Sequence, residues 1–85
     1  MASYISDGKK LLGVEYDTII QAGDEVDGMR VLSVDIRSME EMGVFLLEPN
    51  GMVMVYVFDE IYLVGRSDSY ETLSDAIEAW NDGEI

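Results

Sequence analysis

The sequence predicts an α+β domain in which an antiparallel sheet of about four to five strands packs against one C-terminal helix. Three observations carry that prediction. Pro49-Asn50-Gly51 interrupts two apolar runs and holds the strongest turn signal in the chain, since Asn and Gly both tolerate positive φ. Met52 to Phe58 is apolar on both alternating faces, the pattern of a strand covered on two sides. Leu73, Ala76, Ile77 and Trp80 then recur at helical spacing behind a polar start signal.

The elements follow in chain order. Lys10 to Tyr16 is a short strand candidate, with Leu11, Leu12, Val14 and Tyr16 as apolar members, and Thr18 to Ile20 adds another piece. Ala22 to Gly28 reads as a loop with turn chemistry at its end. Met29 to Ile36 reads as a strand, with Val31, Ser33 and Asp35 on one face and Leu32, Val34 and Ile36 on the other. Ser38 to Met42 is polar enough to turn. Gly43 to Glu48 and Met52 to Phe58 form the hairpin. Met52, Met54, Tyr56 and Phe58 face one way along the second strand, and Val53, Val55 and Val57 the other. Asp59-Glu60 turns the chain into a further apolar run, Ile61 to Gly65.

Thr72-Leu73-Ser74-Asp75 is a capping box with Thr72 at the N-cap and Asp75 at N3, and Gly83 supplies the stop. At 100° per residue the stripe of Leu73, Ala76, Ile77 and Trp80 spans an arc of about 100°, enough to dock on a sheet. One helix covers only one sheet face. The second apolar face needs its own cover, either a curl of the sheet closed by the N-terminal segment or a second copy of the chain.

Composition limits the chemistry. The 85 residues include 18 Asp+Glu against 5 Lys+Arg, a net charge of −13, with no His and no Cys. A chain this short forms one domain, residues 1–85, and buries roughly 60–65% of its unfolded surface. With 48% hydrophobic residues it departs from the composition of disordered chains. The lack of His and Cys excludes an imidazole base, a thiolate nucleophile, a disulfide and the usual zinc ligands. A cysteine-free chain fits a reducing cytoplasm. No basic and apolar leader precedes Asp7, and no stretch reaches the ~18 apolar residues of a membrane span. Nucleic acids and anionic lipids repel such a chain, whereas basic proteins attract it.

Within that excess charge, Glu71, Asp75, Glu78 and Asp82 follow steps of four, three and four residues. They fall within an arc of about 60°, opposite the apolar stripe. A solubilising face more often interleaves Lys, because like charges at i,i+4 cost roughly 0.2–0.5 kcal/mol per pair. The ordinary alternative is a solvated acidic face, helped by the macrodipole at Glu71 and Asp75 but opposed by it at Asp82. The ridge advances about 5 Å per step, sparser than the 3.4 Å charge spacing of one DNA strand. Mimicry of a nucleic-acid backbone therefore needs help from Asp24, Glu25 and Asp27 in one loop, Glu40-Glu41 in another, and Asp59-Glu60 at a hairpin end.

Other chemistries find weaker support. Asp24 to Gly28 lacks the ligand spacing of a calcium loop and the flanking helices, so it reads as a turn with solvated carboxylates and no metal. No pair of carboxylates is singled out for glycoside hydrolysis, and a small core leaves little depth for a substrate cleft, so neither an enzyme nor a cofactor is expected. Six Met and five Tyr suit an adaptable recognition surface, although core packing accounts for Met52, Met54, Tyr56 and Tyr62 more simply.

In size, charge and order of elements the chain resembles the small acidic bacteriophage proteins that disarm host enzymes: inhibitors of uracil-DNA glycosylase, anti-restriction proteins and anti-CRISPR proteins. The resemblance covers the whole chain in composition and layout and transfers no individual residue. It implies a non-enzymatic inhibitor, acting in the host cytoplasm, that blocks a basic nucleic-acid-binding surface of an enzyme or CRISPR effector, in some cases as a DNA mimic. The expected contact residues are Glu71, Asp75, Glu78 and Asp82, then Asp24, Glu25, Asp27, Asp59 and Glu60. An immunity protein against a basic nuclease toxin has the same physics. A structural domain dimerising through an apolar sheet face, or adaptation to high salt, stands as an alternative of another class.

Overall fold

The computed structural model describes residues 2–7, 11–12, 20–37, 41–60 and 62–85, with residues 11–12 described by their backbone. Its strands are β1 (Ser3–Ser6), β2 (Leu11–Leu12), β3 (Glu25–Val26), β4 (Met29–Ile36), β5 (Glu41–Leu47), β6 (Val53–Asp59) and β7 (Tyr62–Arg66), followed by α1 (Leu73–Asn81). Six strands form a continuous sheet in the order β1-β3-β4-β5-β6-β7, and β2 extends it beyond β1 by a two-residue ladder. The β1–β3 pair is parallel and every other pair is antiparallel. The α+β class and the single C-terminal helix match expectation. The expected four to five antiparallel strands are corrected to a larger mixed sheet.

The difference lies in the first third of the chain. Ser3–Ser6, to which the sequence reading assigned no element, is β1. Glu25–Val26, read as loop, pairs with β1 on one side and β4 on the other. Short pairings of this kind leave no periodicity to detect. Asp27 (φ 52°) and Gly28 (φ 80°) join Val26 to Met29 with both central residues at positive φ, a two-residue hairpin turn with Asp-Gly chemistry. Of the Lys10–Tyr16 and Thr18–Ile20 candidates, Leu11–Leu12 is strand and Ile20 is a buried, non-strand residue. The remainder lies outside the described residues. Glu41 and Met42 belong to β5 rather than to a turn, and Ser38–Glu40 also lies outside the described residues.

The hairpin forms as predicted, with β5 and β6 paired from Glu41↔Asp59 to Leu47↔Val53. Its turn is closed by Gly51 N–H donating to Glu48 O at 2.9 Å and by Met52 N–H donating to Asn50 Oδ1 at 2.9 Å. Gly51 sits at φ 86°, where its lack of a Cβ matters. The two faces of β6 divide as read. Tyr56 and Phe58, with Met54, pack in a first core with Tyr4, Ile20, Val26, Val31, Val44 and Leu46. Val53, Val55 and Val57 pack in a second core with Phe45, Ala76 and Trp80 under the helix.

β4 departs from strict alternation because a bulge between Val31 and Ser33 shifts its register against β5. Val31 and Val34 consequently share the first core, while Leu32 packs in the second. A second irregularity falls between Val57 and Phe58 against β7. Bulges increase local twist and bend a sheet. The curl is large. The Tyr56 hydroxyl on β6 donates to Asp27 Oδ2 at 3.0 Å, although three strand spacings would separate them by roughly 14 Å in a flat sheet. The second apolar face is therefore covered from within the chain, by a nearly barrel-shaped sheet and by Tyr4, Ile20 and Val26.

Candidate acidic interaction surface

α1 begins where predicted. Thr72 has extended φ/ψ (−136°, 160°) and its Oγ1 accepts from Asp75 N–H at 3.1 Å. Asp82 is the C-cap residue, and Gly83 follows at φ 77°. Ala76 and Trp80 are buried and Leu73 and Ile77 partly so, all in the second core. The opposite side carries Glu71, Asp75, Glu78 and Asp82, all exposed. The last turn of α1 contains no basic residue of its own to complement the helix dipole. Among the described residues no ridge carboxylate forms an ion pair, whereas Arg37 pairs with Glu41.

More carboxylates flank the ridge. At its N-terminal end lie exposed Asp68 and the partly buried Glu48, whose Oε1 accepts from Ser69 Oγ. Beyond its C-terminal end, exposed Glu84 lines a groove of about 460 Å³ together with Glu41, Asp68, Val64 and Tyr70. Glu41 lies directly opposite Asp59, and both share the strand parity of Gly43, Phe45, Val55 and Val57, which face the helix. Like charges directly opposite repel. Arg37 offsets this by donating from Nε to Glu41 Oε1 at 2.8 Å, and it is held in place by Nη1 donating to Ile85 O at 2.5 Å and by the Trp80 ring, whose centroid is 3.9 Å away. Glu41, Asp68 and Glu84 thus line one groove, yet of these only Glu41 stood out in the sequence. Their position is a product of strand register, which periodicity does not report.

Asp24 and Asp27, expected as solvated carboxylates of a turn, are hydrogen-bonded within the chain instead. Asp24 is only 5% exposed. Its Oδ1 accepts from Ala2 N–H and its Oδ2 from Gln21 N–H, each at 3.1 Å, tying the chain start and the approach to β3 together. Those backbone donors hold its carboxyl below the usual range, against the opposing effect of burial. Asp27 accepts from Ser6 N–H at 2.7 Å, from Ser6 Oγ at 2.6 Å and from Tyr56. Burial alone would raise its pKa, but the Ser6 and Tyr56 hydrogen bonds, with the nearby Arg66 charge, bring it below normal. Both aspartates fasten β1 and the β3–β4 turn, so their oxygens are turned to the chain's own donors. Glu25 is exposed and accepts weakly from Ser3 Oγ at 3.4 Å. Asp59 and Glu60 are exposed at the β6–β7 turn, with Glu60 at φ 56°.

The fold and this surface define a small acidic, curled mixed-sheet domain with one charge-lined helix. Compared with protein-family models, curated proteins and solved structures, the chain matches none. No helix among the described residues is long and apolar enough to cross a membrane.

Proposed function

We propose that this protein is a non-enzymatic inhibitor whose acidic helix face occupies the basic nucleic-acid-binding surface of a host enzyme or CRISPR effector. The observation that carries the reading is the exposed row of Glu71, Asp75, Glu78 and Asp82 opposite the buried stripe of α1, unpaired with any described cation. Asp68 and Glu84 are also exposed and line one groove beside β7. A ridge of about 5 Å steps is too sparse alone to mimic a nucleic-acid backbone, and these carboxylates are the nearby charge this reading draws on. Opposite fields accelerate encounter, and the carboxylates take Lys and Arg that otherwise hold phosphate. On this reading Asp24 and Asp27 take no share in the contact, because their oxygens accept from the chain's own donors.

The test begins with affinity capture from host lysate to identify the target, followed by titration of the purified pair. Replacing Glu71 and Glu78 by Lys is expected to weaken binding by tenfold or more, equal to at least about 1.4 kcal/mol. Affinity should fall steeply with salt, and duplex DNA or RNA should compete. Unchanged affinity in the double variant removes the helix from the contact, and salt-independent binding removes the electrostatic mechanism.

A further inference from the structure

β7 is the terminal strand of the sheet, and among the described residues no strand pairs with its outer edge. Ser67 N–H donates to Val55 O at 2.8 Å, and Gly65 stands opposite Val57. By the alternation of an antiparallel ladder, the amide and carbonyl of Arg66 then point to the open side. Unpaired edge groups are a template for another strand, and natural edges are commonly guarded by Lys, Pro or inward-pointing charge. β7 has neither Lys nor Pro; its register against β6 is irregular at Val57/Phe58, and exposed Arg66 keeps its guanidinium 5.0 Å from the Tyr56 ring. The edge instead exposes Tyr62 (54%) and Val64 (58%).

Charge is arranged around this apolar edge. Exposed Asp59 and Glu60 precede β7 and exposed Asp68 follows it, while Glu84 lines the groove beside Val64. We propose that the β7 edge takes an extended segment of a basic protein by strand addition, with apolar or small residues at the segment's centre and Lys or Arg at both ends. Five residues of β7 span about 17 Å, so basic groups spaced by that length meet Asp59 and Glu60 at one end and Asp68 at the other. A second copy of this chain fits poorly, since edge-to-edge pairing would bring these carboxylates against each other. The assignment rests on the basic-partner reading above and adds to it a second contact, in which backbone hydrogen bonds set register and the carboxylates select charge.

The test titrates ¹⁵N-labelled protein with a synthetic peptide, Lys-Lys-Thr-Val-Thr-Val-Thr-Lys-Lys. Amide shift changes should concentrate on Tyr62 to Ser67, and hydrogen exchange at Arg66 should slow by about tenfold or more. Val64→Lys, at an exposed position that leaves the remaining spectrum unchanged, should weaken binding at least about tenfold by charge and loss of apolar contact. The same peptide with Glu for Lys, or N-methylated through its centre, should not bind. Shifts confined to α1 would overturn strand addition while leaving the helix reading standing. Absence of shifts at β7, or concentration-dependent shifts there without peptide, would also overturn it; the helix reading is judged separately by its charge-reversed variant.

Discussion

Gly43 on β5 lies flat against the indole of Trp80: a Cβ built at Gly43 would come within 2.9–3.0 Å of three ring atoms. Trp80 is buried, Phe45 meets it edge-on with ring centroids 6.2 Å apart, and Arg37 lies 3.9 Å from its ring centroid, so the indole shifts only by disturbing these contacts. Gly in a strand interior normally costs about 0.5–1 kcal/mol relative to Ala. Here the sign should reverse. Gly43→Ala is expected to destabilise by about 1–3 kcal/mol, the usual range for overpacking, and Gly43→Val by more. Urea denaturation monitored by Trp80 fluorescence checks both.

The indole also orients the end of the helix. Trp80 Nε1–H donates to Asp35 Oδ2 at 2.7 Å, with Arg37 on the ring face. Trp80→Phe should cost about 1–3 kcal/mol through lost volume and a lost hydrogen bond to a charged acceptor. Asp35→Asn retains an acceptor at an exposed position and should cost less than about 1 kcal/mol. Equal losses from the two substitutions would show that the hydrogen bond, rather than packing, dominates at this site.

The Ser6–Asp27–Tyr56 connection predicts an acid limb and an alkaline limb in stability. Asp27 has a folded pKa below its ordinary value, because its hydrogen bonds outweigh burial. Its contribution is present above the unfolded carboxylate range and is lost as pH falls toward the folded value. Burial, followed by the hydrogen bond to Asp27 and its charge, raises Tyr56 against the partial opposition of Arg66. The Tyr56 contribution is present below about pH 10 and declines as pH rises through its folded value. Asp27→Asn should reduce the acid limb, leaving the share of Asp24, whose carboxyl is also held below the usual range, and Tyr56→Phe should flatten the alkaline one. Denaturation midpoints across pH measure both, and an acid limb unchanged in Asp27→Asn would contradict the assignment.

These fastenings also explain which parts of the fold were legible. The β5–β6 hairpin and α1 are local: Asn50-Gly51, Thr72 and the 73/76/77/80 spacing each act within a few residues. The β1–β3 pairing joins segments about twenty residues apart through Asp24 and Asp27, and an aspartate next to a turn looks the same in sequence whether its acceptors face water or Ser6. The same blindness affected the acidic surface. Helical periodicity placed Glu71, Asp75, Glu78 and Asp82 together, while Glu48, Asp68 and Glu84 reach that side only through strand order and the path around the helix. In β4, the bulge at Leu32 defeated the period-two reading, which grouped Val31 with Ser33 and Leu32 with Val34 where the cores put Val31 with Val34 and Leu32 under the helix.

Asp82 supplies a test that separates a functional acidic face from an idle one. It is the C-cap of α1, four residues after Glu78, at the end of a helix whose last turn has no basic residue. The dipole and the i,i+4 neighbour both oppose a negative charge there. Asp82→Lys removes two repulsions and adds a favourable interaction, so it should raise stability by roughly 0.3–1 kcal/mol at low ionic strength. The gain should shrink in about 1 M salt, where the Debye length falls to about 3 Å. If the ridge contacts a basic surface, the same substitution should weaken the partner complex by several-fold or more, with the loss also diminishing in salt. Stability gained and binding lost from one side chain would mean that the repulsion is retained for the contact. A variant that is both more stable and equally tight would make Asp82 ordinary solvated charge and leave the contact to Glu71, Asp75 and Glu78.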